Sequence, residues 1–511
     1  MGMIFEDDSS GAWNEMFEAP GKPRPIYERL FAEIDRFDPA ELLQRSDQLS
    51  HTFLDRGVTF AHSGEERPFP LDLMPRLLGA IEWDLLERGI SQRVRALEAF
   101  LGDVYGAGQV FEDGVIPKSV VTTSSHFCRA AHSIEPPNGV RITVAGIDLV
   151  RDEIGKFRIL EDNVRIPSGV SYVIENRRAM TQTFSALFSN HRVHPVDSYP
   201  ARLLAALRLA APYGIGDPVV VVLSPGVYNA AYFEHVLLAR MMGIELVEGR
   251  DLVCRSNHVF MRMTNGERPV HVIYRRVDDD WLDPLQFRPD SVIGVAGLVN
   301  AARAGNVALA NALGNGVADD KLVYTYVPDF IRFYLGEEPL IENVETFRLE
   351  DPDVLGEVLQ SLDAYVLKPV DGSGGKGIVI GPQADEQTLT SVRDAIIMSP
   401  RNWIAQRPVA LSTHPTLVDE QVSPRHVDLR PFAVSGGQGV WVLPGGLTRV
   451  ALGAGELVVN SSRGGGSKDT WVLNDQLVAP RGPATDVGQP PRNAGVIPRQ
   501  NDEYTDQEAE Q

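Results

Sequence analysis

The sequence predicts a mixed fold of the α+β and α/β classes, with a helical region at its N-terminal end. Three observations predict it. Apolar residues recur at helical spacing at Ile90, Val94, Leu97, Leu101 and Val104. The apolar run Val219 to Leu223 ends in Ser224-Pro225-Gly226 and leads through a helical stretch to a second run, Ile244 to Val247. That is a βαβ unit with a buried parallel strand. Third, Tyr365-Val366-Leu367 ends in Lys368-Pro369, passes Gly372, Gly374, Gly375 and Gly377, and returns in Ile378-Val379-Ile380. This reads as two strands joined by a glycine-rich loop.

In chain order, residues 1–25 are expected to be an irregular arm and 26–119 a helical scaffold, with helices over Glu28–Phe37 and Leu42–Phe53 and interruptions at Pro68, Pro70 and Pro75. Strands are expected from Val120, in a part covering residues 120–200. There Val140–Val150 is β-branched and Phe157–Leu160 is its hairpin partner across Asp152–Gly155. The partner runs into Glu161-Asp162-Asn163, Pro167-Ser168-Gly169 turns the chain, and Glu175–Ser189 reads as a helix. Residues 201–315 form an inserted α/β domain: the strand Val219–Leu223, a helix Ala230–Met242 closed by Gly243, and the strand Ile244–Val247. The strand Val270–Tyr274 then meets Arg275-Arg276 and the acidic run Asp278–Asp280, and Leu298–Leu313 is expected to be helical. Residues 316–479 hold the glycine loop, an alternating strand Arg425–Val434 and a second glycine-rich loop, Asn460–Lys468. Residues 480–511 carry five prolines and a net charge of −3, the composition of a disordered tail.

Composition narrows the function. The chain has 511 residues, 43% hydrophobic and 23% charged, in the range of water-soluble globular proteins. A net charge of −21 argues against a nucleic-acid partner. No run approaches a membrane span, the N-terminus lacks an apolar signal core, and the myristoylation pattern fails at Glu6. Cys128 and Cys254 stand alone, outside any CxxC, so neither a disulfide framework nor a zinc site is expected, and a reducing cytoplasm fits.

The chemistry is concentrated in two places. Glycines let successive backbone N–H groups turn toward an anion, and a Lys at the preceding strand end adds a full charge. Lys368 with Ser373, Gly374 and Gly375 therefore suits a polyphosphate. The loop is not a Walker A motif, because no GK[ST] follows at the required spacing and a strand comes after it. The second place is the hairpin. If its strands pair, Asp148 and Glu161 lie near each other, and with Asn163 they supply hard oxygen ligands suited to Mg²⁺. Lys321 opens the segment KLVYTYVPDF and Gln406 ends the strand Trp403–Ala405; they can reach nucleotide phosphate or adenine, although each also reads as an ordinary surface or strand-end residue.

This set resembles the ATP-grasp ligases, with the order inverted: the metal-like residues precede the lysines and the loop. That order is similar to the circularly permuted ATP-grasp group, related to the glutathionylspermidine synthetase domain. The segments ILEDNVRIPSG, KLVYTYVPDFIRFY and YVLKPVDGSGGKG resemble its metal, lysine and glycine-loop segments. A closer resemblance, over about residues 13–475, is to the uncharacterised bacterial circularly permuted type 2 ATP-grasp proteins. It rests on LEDNVRIPSGVSYVIENR, FRPDSVIGVAGL, GNVALANALGNGVADDK, PRHVDLRPFAVSGG and LPGGLTRVAL. The synthetase relatives carry an Arg two residues before the first metal Asp, and here that position is Gly146. Arg165, Arg425 or Arg430 would then meet the transferring phosphate.

The resemblance implies a circularly permuted ATP-grasp fold using ATP and Mg²⁺. It implies a ligase that activates a carboxylate as an acyl phosphate and passes it to an amine or thiol. Arg275 and Arg276 suit a substrate carboxylate, with Ser168, Ser171 and Tyr172 beside them. The Arg pair equally suits the adjacent Asp run. Two other classes stand beside the ligase: a catalytically silent nucleotide-binding partner of another protein, and a phosphotransferase that stops at a phosphorylated product.

Overall fold

In the computed structural model of the chain, the described residues are 11–62, 65–372, 374–457, 459 and 465–474. The expected C-terminal tail and most of the second glycine-rich loop lie outside them.

The N-terminal region is only partly helical. The helices Glu28–Ile34, Pro39–Asp55 and Ala80–Val104 form where the apolar spacing places them. Asp38 caps the second by accepting from the Ala40 N–H, and Pro39 occupies the first turn, where its missing N–H is harmless. Between them lie three strands, Thr59–His62, Glu65–Pro68 and Leu71–Leu78. Pro68 ends a strand, Pro70 lies in the link between two strands and Pro75 lies within one, so none of them breaks a helix. Leu71–Leu78 pairs in parallel with Gly466–Val472, and the register slips between Asp72 and Arg76. Pro75 falls in that irregularity, where no ladder donor is required.

Val120 belongs to a short helix, Lys118–Thr122, and the first strand after it is Val144–Arg151. The expected helix at 175–189 is two helices, Val170–Thr183 and Ser185–Asn190. The inserted α/β unit has the parallel order Ala308–Ala310, Val272–Arg275, Val220–Leu223, Glu245–Val247. Its last strand occupies sequence expected to be helical. The helix runs only from Leu298 to Arg303, because Gly305 (φ +72°) and Asn306 break it and Ala308–Ala310 pairs with the sheet. An antiparallel meander, Leu252–Arg255, His258–Met263 and Gly266–Val270, is inserted in this unit between the strands Glu245–Val247 and Val272–Arg275.

Two antiparallel sheets carry the candidate residues. One has the order Val440–Val442, Phe432–Ser435, Val144–Arg151, Phe157–Asn163. The other has the order Thr346–Arg348, Trp403–Gln406, Val366–Pro369, Val379–Ile380. The expected strand Arg425–Val434 is interrupted. It is a strand to His426 and again from Phe432, and Val427, Leu429 and Arg430 bridge singly to Val450, Leu149 and Leu447. That crossing segment joins the hairpin sheet to the strand Thr448–Val450. Cys128 is buried and Cys254 half-buried, both free. No described helix is long and apolar enough to cross a membrane.

Candidate functional site

The hairpin Val144–Arg151/Phe157–Asn163 sets the first half of the site. Asp148 pairs with Glu161, and Gly146 with Asn163. Residues opposed in an antiparallel ladder project to the same face, as do residues two apart on one strand. Asp148, Glu161 and Asn163 therefore share a face. The register shifts just beyond Asp148, between it and Leu149, as a bulge does where a strand re-aims a side chain.

The second half is the sheet with Val366–Pro369 at its centre. Val366 pairs with Gln406, so Val366, Lys368 and Gln406 share one face. Gly374, Gly375 and Gly377 have φ of +64°, +75° and +73°, a left-handed conformation that a side chain would strain. Ser373 lies outside the described residues. Lys321 begins the helix Lys321–Tyr324, where Asp320 caps the N-terminus by accepting from the Leu322 and Val323 N–H groups. Its Nζ donates to the Gly372 carbonyl at 2.5 Å and stands 3.4 Å from Glu161 Oε2. One ammonium thus ties the glycine loop to the hairpin.

The two faces enclose a cavity of about 350 Å³. Its polar end is lined by Asp148, Glu161, Asn163, Ser168, Lys368, Gly374, Gly375, Arg430, Asp428 and Arg449. Val150, Leu160, Val344, Val366, Ile378, Ile380 and Leu411 give it an apolar wall, with Gln406 among them.

Charge is densely paired here. Arg430 grips Asp148 with both arms of its fork: Nε to Oδ1, and Nη2 to Oδ2 at 2.7 Å. Arg449 Nη2 donates to the same Oδ2 at 2.7 Å, while its Nε reaches Asp428 at 2.9 and 3.0 Å. Burial alone would raise the Asp148 pKa, but the two guanidinium groups outweigh it and hold the carboxyl down at about 2. In Glu161 burial likewise pushes up, and Lys321 with Arg430 and Lys368 brings the pKa below its ordinary value. Lys368 shows the opposite balance. Burial pulls its pKa from 10.5 to about 8, against the attraction of Glu161.

The hairpin trio fits a hard divalent cation in kind: two carboxylates and one amide on one face, at the edge of the cavity. Both Asp148 oxygens are held by guanidinium groups, so a cation that took Asp148 would have to displace an arginine arm. Among the described residues no group of three or more His, Cys, Asp or Glu side chains is gathered as a metal site.

The structure separates the other candidates. Gln406 lines the cavity while its amide donates to Thr346 Oγ1 at 2.9 Å. Of the three arginines, Arg430 alone lines the cavity. Arg165 pairs with Asp278 at 3.1 Å in a separate cavity, and Arg425 donates to the Leu452 and Pro424 carbonyls. A Cβ built on Gly146 would lie 3.4 Å from Arg430 Cδ. The Arg430 stem thus runs beside Gly146, on the face of the hairpin that carries Asp148.

Arg275 does not reach the cavity. It is fully buried, with its guanidinium donating to the Asn311, Ala312 and Val277 carbonyls and pairing with Asp279 at 2.6 Å. This is the partnership with the acidic run that the sequence left open. Arg276 is also buried. It donates to Ser168 Oγ at 2.5 Å and pairs with Glu234 at 3.3 Å, so it holds the cavity-lining Ser168 from behind. Ser171 is buried against Glu234, and Tyr172 stacks on Phe69 at 4.0 Å. Neither lines the cavity. Sequence reasoning missed Arg449 and Asp428. Their signal was a charged residue inside an apolar run, VDLRPF and LTRVAL, which in a folded chain demands a buried partner.

Comparison with known proteins gives the family of the chain. Residues 75–451 match the family described as circularly permuted ATP-grasp type 2. An uncharacterised protein of Mycobacterium tuberculosis strain H37Rv is 62% identical over 90% of this chain and 84% of its own length. An uncharacterised Synechocystis protein is 48% identical over 91% of this chain and 98% of its own. A Frankia casuarinae protein, provisionally named a glutamate–cysteine ligase, is 46% identical over 92% of this chain but only 54% of its own length. Among solved structures, a glutathione synthetase-like effector of Globodera pallida matches with a TM-score of 0.54 and 14% identity, over 86% of this chain and 98% of that one. That last likeness carries the fold alone. The family match spans most of the chain and takes in the hairpin, both lysines, the glycine loop and Arg449. The chain therefore belongs to the circularly permuted ATP-grasp type 2 family.

Proposed function

We propose that this protein joins a carboxylate to an amine or thiol at the expense of ATP, through an acyl phosphate. The observation that carries the reading is convergence. Asp148, Glu161 and Asn163 lie some 200 residues before Lys368 in sequence, yet they line the same cavity as Lys368 and the glycine loop.

The apolar wall suits a purine, with Gln406 at its edge, and the polar end suits the phosphates. Lys321 and Lys368 hold them, and the backbone N–H groups of the glycine loop close over them. A divalent cation at Asp148, Glu161 and Asn163 would neutralise charge on the phosphate oxygens. A substrate carboxylate oxygen attacks the γ-phosphorus and the bond to the ADP oxygen breaks, leaving an acyl phosphate. The amine nitrogen or thiol sulfur then attacks the acyl carbon, inorganic phosphate departs, and the nucleophile loses its proton. Arg430 is placed to leave Asp148 for the transferring phosphoryl group, since one oxygen of that carboxylate keeps Arg449. The protein contributes positioning, charge and exclusion of water, not a covalent intermediate.

The test is hydroxylamine trapping. Purified protein is incubated with ATP, Mg²⁺, hydroxylamine and a cell-extract metabolite fraction, then analysed by mass spectrometry. ADP release with a new hydroxamate is expected. ADP release with a stable phosphorylated product and no hydroxamate would replace the ligase with a phosphotransferase. No substrate-dependent ADP release would overturn both.

A further inference from the structure

A second cavity, of about 860 Å³, runs along the helices Val170–Thr183 and Tyr232–Met242 and shares no residue with the first. Its volume is in the range of small-ligand sites. One wall is apolar: Ile174, Val196 and Leu237 are buried and Phe188 and Phe233 half-buried, and all of these but Leu237 are continuous with the core.

Charges of both signs line it beyond what the fold consumes. Glu175 accepts from Arg178 Nη1 at 2.6 Å and from Arg56 Nη1 at 3.2 Å, so two guanidinium groups share one carboxylate. Among the described residues the other arm of Arg178 meets only the Met241 sulfur at 3.8 Å, a weak acceptor. Arg240 is exposed and has no ion pair among the described residues. The acids Asp55 and Asp197 are likewise exposed and without an ion pair among the described residues. Arg177 differs: it is committed to Asp469 and to the His194 and Thr470 carbonyls.

We propose that this cavity binds a zwitterion with an apolar body, an amino acid or short peptide with both ends free. Its carboxylate meets Arg178 and Arg240, its ammonium meets Asp55 or Asp197, and its side chains lie on the Phe188, Phe233 and Leu237 wall. A simple anion would leave the two acids facing it, and a simple cation would leave the two arginines; a ligand with both charges answers each.

The test is affinity-selection mass spectrometry on the full chain with a mixture of apolar tripeptides, once free-ended, once N-acetylated and once C-amidated. Free-ended peptides are expected to be retained, and blocking either end to reduce retention about tenfold, the scale of one lost charged hydrogen bond. Arg240→Glu and Asp197→Lys should each reduce it similarly, with the melting temperature and ADP affinity unchanged. Saturating ADP should leave retention intact. Equal retention of free and blocked peptides, indifference to both variants, displacement by ADP, or no retention of any peptide would each overturn the assignment.

Discussion

Replacing Lys368 with methionine should make the protein more stable and weaken its hold on nucleotide. Lys368 is buried, and its pKa falls from 10.5 to about 8 because burial outweighs the attraction of Glu161. A folded-state value below the unfolded one means that the fold disfavours the charged form. The contribution of this lysine to stability is thus present above pH 10.5, declines as pH falls, and is lost below about pH 8. At about 1.4 kcal/mol per pH unit, holding the ammonium charged at pH 7 costs the fold about 3 kcal/mol. Methionine has a similar length and no charge, so Lys368→Met should gain about 1–3 kcal/mol at pH 7, less any loss from imperfect packing. Urea unfolding at pH 7 and pH 9.5 measures this, and the gap between variant and wild type should narrow at the higher pH. Calorimetry with ADP should show affinity at least about tenfold weaker, the loss of one charge-assisted phosphate contact. A variant that is less stable at both pH values, with a gap independent of pH, would refute the reasoning and make Lys368 a satisfied structural cation.

Glu161→Gln keeps the shape of a strand-end residue, so melting should move little, nucleotide binding should weaken in part, and ATP turnover should be lost; unchanged Mg²⁺-dependent turnover would remove the metal role. Arg430→Ala should lower turnover at least about a hundredfold, whereas Arg425→Ala, on carbonyls outside the cavity, should not, and an ADP-release assay on both separates them. Arg449→Met strands the buried Asp428 and should cost about 3–5 kcal/mol in urea unfolding, with Asp428→Leu added to the same protein recovering part of it. ADP affinity should fall as pH rises through about 8, where free Lys368 loses its proton, and calorimetry in buffers of different ionisation enthalpy should show proton uptake on binding there.

What the sequence disclosed was local. The hairpin at 144–163, the βαβ unit and the strand–Lys–glycine loop each announce themselves by a period and a turn within about 30 residues. What it hid was set by partners far away. Leu71–Leu78 is a strand because Gly466–Val472 lies beside it, and Pro75 is tolerated because the register slips there. Ala308–Ala310 forms a strand because an open edge beside Val272–Arg275 receives it. Arg275 and Arg276 look alike in sequence. Only the fold turns the first onto backbone carbonyls and the second onto Ser168. The Asp428–Arg449–Asp148 chain joins two strands and the crossing segment between His426 and Phe432, and no spacing rule links residues some 300 positions apart.

The most direct measurement is a structure of the protein with a non-hydrolysable ATP analogue and Mn²⁺, whose anomalous scattering marks the cation. The expected result is a triphosphate between Lys321, Lys368 and the hairpin, the base against Val366 and Ile380, and Mn²⁺ beside Glu161 and Asn163, with Arg430 turned from Asp148 toward the γ-phosphate. A nucleotide bound elsewhere, or a Mn²⁺ signal away from the hairpin, would contradict it.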